Sequence, residues 1–245
     1  MRLFASELLK IRTAPRTVLG LLLAELAIVG IGTASVIDGS DESGVPEGFE
    51  GFRPRLERDL IDVTSSSLLF ALLLGVLVIT WEYRHGTITQ TFLSTPVRDR
   101  VIAVKALVAG LVGAALVVPA LLLMLVIAEI WVGNRLDFTG EDVERAGRIF
   151  LASAIVAILG MEIGAITGRQ LGAIVVALAW AIFAEPALAI WASIEDYLPL
   201  HAIFGGILGE EEADISFGRG LVTIAVYVIA LGAGGIVLTR RRDIT

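Results

Sequence analysis

The feature that most constrains this chain is a series of apolar runs at 18–37, 61–80, 105–131, 149–167, 171–194 and 219–238. An α-helix rises 1.5 Å per residue, so about 20 apolar residues cross a hydrocarbon core ~30 Å thick. In hydrocarbon every backbone amide must bond within its own segment, which makes helix the form such runs take. The expected fold is all-α and integral to a membrane: one transmembrane domain over 1–245 with six spans. Composition agrees, with 56% hydrophobic and 18% charged residues, where a soluble domain carries about 25% charged. The chain has no cysteine, so neither a disulfide framework nor a thiolate metal site is expected. Its first ten residues lack the pattern of a cleaved signal peptide, so the first run is expected to remain as a span.

Charge assigns the loops to sides. The amino-terminal segment, the 81–105 break, the 168–170 turn and the tail hold 12 Lys+Arg against 4 Asp+Glu. The other three loops, with Asp62 and Arg219 at their edges, hold 7 against 18. The positive-inside rule then places both termini and the 81–105 break in the cytoplasm, in a multi-pass protein of the cytoplasmic membrane. His85 and His201 fall on opposite sides and cannot share a metal.

Residues 1–13 are too polar to span. Leu3, Phe4, Leu8 and Ile11 share one helical face, and Arg2, Ser6, Lys10 and Thr13 share the other. This predicts a short amphipathic helix in the interface, its basic face toward the headgroups. The stretches 38–60 and 132–148 read as acidic loops. Residues 198–208 are apolar but, at eleven residues, too short to cross. They are expected to dip into the membrane and return, with Glu210-Glu211-Glu212 keeping the residues after them in water. Pro119 should kink the third span.

The break Trp81 to Arg100 is the stretch with the length and polarity to meet a soluble partner. Ile88 and Phe92, at i and i+4, make an apolar stripe with Leu93 beside it, a face suited to a groove on a partner. The residue before Pro96 is biased out of helix, so a short helix should end by Ser94 or Thr95. Thr95 then suits an N-cap, with Pro96 at the first position of the next helix and Asp99 near its positive end.

Glu82-Tyr83-Arg84-His85-Gly86-Thr87, then Thr91-Phe92-Leu93-Ser94-Thr95-Pro96, then Arg98-Asp99-Arg100-Val101-Ile102-Ala103-Val104-Lys105, resembles the first cytoplasmic loop of ABC exporter permeases of the second type. The likeness in architecture covers the whole chain: an amino-terminal elbow helix, six spans, a coupling helix between spans two and three, and a re-entrant segment between spans five and six. The resemblance implies a half-transporter subunit that pairs with a second copy and moves a lipid-like or amphipathic compound, such as a drug, an antibiotic peptide or a glycolipid. It implies an ATP-binding-cassette ATPase as partner, holding the ATP and Mg, and no cofactor on this chain. The implied ATPase contacts are Glu82, Tyr83, Arg84, His85, Gly86, Thr87, Ile88, Phe92, Leu93 and Arg98. No Gly-x-x-x-x-Gly-Lys-Ser/Thr loop surrounds either lysine, Lys10 or Lys105, so ATP hydrolysis is expected elsewhere.

Four acids fall within the spans: Glu25, Glu129, Glu162 and Glu185. Acids at bilayer depth usually face protein or water. Glu129 sits near a span end. Glu162 is about two turns from Arg169 and could pair with it. By the resemblance, spans one, two and five line the space between copies, so Glu25 and Glu185 join Glu162 as translocation-path candidates. Gly160, Gly164 and Gly168 recur every four residues, a spacing for close helix contact within the subunit. Trp81, Trp131 and Trp191 suit interface anchors, and Trp180 does not. No catalytic triad, carboxylate pair or metal cluster assembles, and nucleic-acid binding is not indicated. Two other functions come into question: a proton-coupled secondary transporter, which should carry inverted repeats that residues 1–120 and 121–245 do not show, and a non-transporting anchor or sensor subunit.

Overall fold

The computed structural model describes residues 2–12, 15–42, 56–94, 97–133, 136–209 and 215–241. All its regular elements are helical: α1 (Arg2–Arg12), α2 (Pro15–Glu42), α3 (Leu56–Val63), α4 (Ser67–Arg84), α5 (Ile88–Ser94), α6 (Arg98–Trp131), α7 (Gly140–Thr167), α8 (Gln170–Ala179), α9 (Glu185–Ala189), α10 (Ala192–Glu195), α11 (Pro199–His201) and α12 (Phe217–Arg241). A tight 3-10 turn joins α3 to α4, and wide π turns come after α8 and α11. Six helices are long and apolar enough to cross a membrane: Arg16–Gly39, Leu56–Arg84, Arg98–Trp131, Gly140–Thr167, Gln170–Ala189 and Phe217–Arg241. Each contains or overlaps one apolar run of the sequence. The chain is a multi-pass membrane protein in its architecture.

Helices α4 and α7 form the centre, and α2, α8–α9 and α12 lie at the periphery. Apolar burial supplies little drive between helices surrounded by lipid, so close backbone contact has to hold them. Small residues provide it. A Cβ on Gly160 would overlap the Leu72 carbonyl oxygen of α4, and one on Gly75 would overlap the Ala157 carbonyl of α7. A Cβ on Gly164 would lie 2.7 Å from Ile79 Cγ2. The glycine repeat thus packs inside the subunit through Gly160 and Gly164. Gly168 differs: its φ of 65° ends α7 in the left-handed conformation, where glycine carries no Cβ penalty.

Several boundaries depart from the sequence reading. Helix α7 begins nine residues before the predicted span at 149, because Thr139 and Asp142 close a capping box at its start, which satisfies otherwise orphaned amides. Helix α2 runs on to Glu42 and α3 starts at Leu56, so the predicted 38–60 loop is shorter at both ends. The fifth span is broken: Trp180–Ala184 is a π turn directly before Glu185 and Pro186. Proline has no N–H and crowds the carbonyl four residues earlier, which widens the preceding turn. Pro119, by contrast, sits inside an uninterrupted α6.

The apolar segment Pro199–Leu208 is helical, and of its π turn Ala202, Ile203, Gly205, Gly206, Ile207 and Leu208 are buried against α7 and α12. The approach to α12 is glycine on glycine, since a Cβ on Gly206 would fall 2.6 Å from Gly220 Cα. Both ends of the segment are capped by charge. The Leu200 and His201 amides donate to Glu185. At the other end Arg145 donates to the Leu208 carbonyl and Arg148 to that of Ile207, a favourable place for cations. Glu210, Glu211 and Glu212 lie outside the described residues.

The two ends of the bundle differ in charge pairing. One end gathers α1, the start of α2, the end of α4, α5, the start of α6, the α7–α8 turn and the end of α12. There Arg16, Arg84, Arg100, Arg169 and Arg241 have no carboxylate partner among the described residues. At the opposite end Arg145, Arg148 and Arg219 pair with Asp62, Glu144 and Asp196.

Candidate functional site

The basic end is organised by the chain's two lysines. Lys105, on α6, is fully buried (0% exposed). Its Nζ donates to Glu7 Oε2 at 2.5 Å and to Glu82 Oε1 at 2.5 Å. Lys10 Nζ donates to the other oxygen of Glu7 at 2.5 Å and to Glu82 Oε1 at 2.7 Å. Thr91 Oγ1 completes the set, donating to Glu82 Oε2 at 3.0 Å. Two cations and two anions thus join α1, α4, α5 and α6 with no net charge. An ammonium with three rotatable donors can serve two carboxylates at once, where a planar guanidinium would favour one. Burial acts to lower the Lys10 pKa, but its bonds to Glu7 and Glu82 outweigh this and hold it above the usual lysine value.

Local backbone chemistry brings Glu82 and Thr91 together. Gly86, at φ 68°, turns the chain after α4. Thr87 N–H bonds to Glu82 O at 3.0 Å and Gly86 N–H to Tyr83 O at 3.4 Å, the paired bonds of a Schellman cap. Helix α5 then folds back over α6. Ile88 and Phe92 are buried with Val101, Leu3 and Tyr83 around them. The stripe predicted to face a partner is therefore the inward face, because its apolar surface finds cover within the chain. Glu82 is likewise turned inward at 4% exposure. The residues presented outward are Arg84, His85, Gly86, Thr87, Gln90 and Leu93, the last 79% exposed.

Arg98 joins a further helix to the unit. Its guanidinium stands 5.3 Å from the centre of the Phe92 ring and donates to the Thr239 carbonyl at 2.6 Å. Asp99 pairs with Arg240 nearby. Helix α6 begins at Arg98 after an extended Val97; the cap expected from Thr95 and Pro96 lies outside the described residues. Helix α1 forms as expected but rolled differently. Glu7 and the Lys10 ammonium turn into the bundle, while Leu8 and Leu9 are exposed. The amphipathic reading sent Lys10 to the headgroups, and the two buried carboxylates draw it inward.

Between α1, the start of α2, α4 and α5 lies a pocket of about 580 Å³. Glu7, Lys10 and Glu82 line one wall, and Leu74, Leu77 and Trp81 another. Trp81 is stacked on His85, ring centres 5.3 Å apart.

No protein-family model matches the chain, and no curated protein matches it.

The remaining candidates separate by environment. Glu25 is fully buried, and neither of its oxygens has a hydrogen-bond partner. Ser67 of α4 faces it without closing a bond. Glu162 forms no ion pair with Arg169. Its Oε2 is buried without a partner, and its Oε1 would meet a Cβ on Gly232 at 2.9 Å, so the α12 glycine makes room for it. Glu185 is fully engaged: besides the two amides of the Pro199–Leu208 segment it accepts from Trp180 Nε1 at 2.7 Å. This gives Trp180 a partner that its position in the sequence did not suggest. Glu129 is exposed near the end of α6. Among the described residues no cluster suited to a metal occurs.

Glu185→Ala should therefore act on structure. It strands three N–H donors, and a buried donor without a partner costs about 1–3 kcal/mol. The expected outcome is a lower unfolding temperature in micelles and faster proteolysis near residues 199–208, with Glu185→Gln milder because it keeps an acceptor. Wild-type behaviour in the alanine variant would remove the capping role.

Sequence reading missed Glu7, Lys10 and Lys105 as site residues. A signal was present: acids are scarce on the basic side, and Glu7 stands three residues from one of only two lysines.

Proposed function

We propose that this chain is the membrane permease subunit of an ATP-binding-cassette exporter of the second type, working as a pair of copies with a separate ATPase. The observation that carries the reading is the lysine–glutamate unit, with Lys105, Glu7 and Glu82 buried, beneath the outward face of the 84–93 loop. A loop that receives force must be stiffly joined to the helices it moves. Here α5 is fastened to α4 and α1 by the hydrogen bonds of Thr91 with Glu82 and Lys10 and to α6 by the burial of Ile88 and Phe92; ion pairs join α1, α4 and α6, and Arg98 and Asp99 tie α6 to α12. A push on α5 is delivered to several spans together. The resemblance of residues 82–105 supplies the kind of partner. In this reading the surplus of unpaired arginines marks the cytoplasmic end, α1 is the elbow helix, and Pro199–Leu208 is the re-entrant segment. The cargo is a lipid-like or amphipathic compound.

Glu82, Ile88 and Phe92 position the loop in this account, and Arg84, His85, Thr87 and Leu93 meet the ATPase. Leu93→Asp should leave the unfolding temperature unchanged, because the side chain is mostly exposed. It should weaken co-purification of the ATPase by about thirtyfold, the size of an interface anchor near 2 kcal/mol. Full ATPase binding by this variant, or by one with the outward residues of 84–93 scrambled, would overturn the proposal.

One observation favours a second reading. Glu25 and Glu162 are buried acids without full hydrogen bonding, as a proton-coupled carrier would use. In that case transport collapses with the proton gradient, persists without ATP and is lost in Glu162→Gln.

A further inference from the structure

A second groove, of about 450 Å³, opens at the same end between the close of α4 and the α7–α8 turn. Tyr83, Arg84, Arg169, Gln170, Leu171 and Ile174 line it. Arg84 Nη1 donates to Gln170 Oε1 at 3.1 Å, which holds that guanidinium at the rim. Arg169 is exposed, and no described side chain of either charge pairs with it. Two cations therefore share one concave site with no anion in it.

No described residue of the chain supplies a counter-ion. The described acids at this end, Glu7, Glu82 and Asp99, are all committed to Lys10, Lys105 and Arg240. A second copy would bring the same acids in the same pairs. The groove also has an apolar side that continues down the helix. Leu171 is 75% exposed, and Val175 and Ile182 lie further along the same stripe, each 56% exposed. That stripe belongs to a helix apolar enough to cross a membrane, so its natural cover is an acyl chain. An anion at the water boundary joined to a long apolar body is the chemistry of an anionic phospholipid, and basic pockets between spans are where such headgroups bind.

We propose that Arg84, Arg169 and Gln170 form a binding site for the phosphate headgroup of an anionic phospholipid, with its acyl chain along Leu171, Val175 and Ile182. The site is separate from the loop face assigned to the ATPase except for Arg84, so the two proposals can fail independently.

The test uses the full chain in micelles containing equal phosphatidylglycerol and phosphatidylcholine, with retained lipid read by native mass spectrometry. The wild type should retain phosphatidylglycerol selectively. Arg84→Gln with Arg169→Gln should lower that preference about thirtyfold, the combined weight of two cations at a membrane surface. Arg100→Gln, which removes an unpaired arginine of the same end outside the groove, should keep it. Unfolding temperature reports folding, and Arg169→Gln alone, at an exposed position, gives a partial loss if the double variant is unstable. Three results would overturn the proposal: unchanged preference in both groove variants, equal loss in Arg100→Gln, or displacement of the lipid by millimolar inorganic phosphate, which marks a plain anion site. Loss of ATPase binding by Arg169→Gln with lipid retention unchanged would also overturn it and give the groove to the partner protein.

Discussion

Lys105→Met is expected to destabilise the chain by about 3–5 kcal/mol, because it leaves Glu7 and Glu82 buried and facing each other with one lysine between them. The side chain is fully buried and bonded to both carboxylates at 2.5 Å. Methionine fills similar volume, so the loss reports charge rather than a cavity. Denaturant unfolding in micelles measures it. Removing one acid as well, in Lys105→Met with Glu7→Gln, should recover part of the loss, since Lys10 can then neutralise Glu82 alone. If the single variant unfolds like the wild type, the four groups are not an ionic unit, and the stiff connection from α1 and α4 to α6 goes with them. Lys105→Arg is not a neutral change here. A guanidinium presents its donors in one plane on a longer, bulkier head, which does not reproduce a compact ammonium bonded to two carboxylates from different helices.

The second large effect is expected at the central seam. Gly75→Ala adds one methyl group, yet that carbon would overlap the backbone carbonyl of Ala157. No rotamer can relieve a backbone clash, so α4 and α7 must move apart. Overpacking of this kind costs about 1–3 kcal/mol. Gly160→Ala should behave alike, being opposed by the Leu72 carbonyl. Gly20→Ala is the contrast, because nothing lies within 4 Å of its added carbon. It should be neutral or stabilise α2 by up to about 1 kcal/mol through helix propensity. Equal effects at Gly20 and Gly75 would mean that the seam is looser than described. The order of unfolding temperatures in one detergent decides the matter.

These two effects show where sequence reading reached and where it stopped. The spans were legible because hydrocarbon permits one backbone solution, and a run near 20 residues announces it. Residues 160 and 164 were readable as a close-contact face, since the absence of a side chain has few uses inside a span. The partner face on α4, Gly75, was not, because a lone glycine has no spacing to mark it. The break in the fifth span has its cause in the sequence, Pro186, but its form does not, because a proline can be met by a kink or by a widened turn and packing chooses between them.

The loop shows the same limit more sharply. Ile88 and Phe92 were correctly expected to share a face, since that is helical geometry. Whether the face looks out or in depends on what stands beneath it, and only the fold puts Val101, Leu3 and Tyr83 there. Glu82 was noticeable as an acid on a basic side. Its partners lie 72 positions before it and 23 after it, and no local pattern joins such distances. The acids within the spans divide in the same way. Their depth is a property of the sequence, while the bonded state of Glu185 and the unbonded state of Glu25 depend on neighbours from other helices.

The sequence by itself determined that this chain has six helices long and apolar enough to cross a membrane and loops that alternate between basic and acidic, because hydrophobic length and loop charge are summed along the chain and need no third dimension. The tertiary structure decided which charges neutralise one another, which glycines touch backbone and which face of α5 remains free. Those are properties of distance between segments. At the basic end they convert two isolated lysines and two scarce acids into one ionic unit, and they leave Arg84 and Arg169 in a groove that holds no acid.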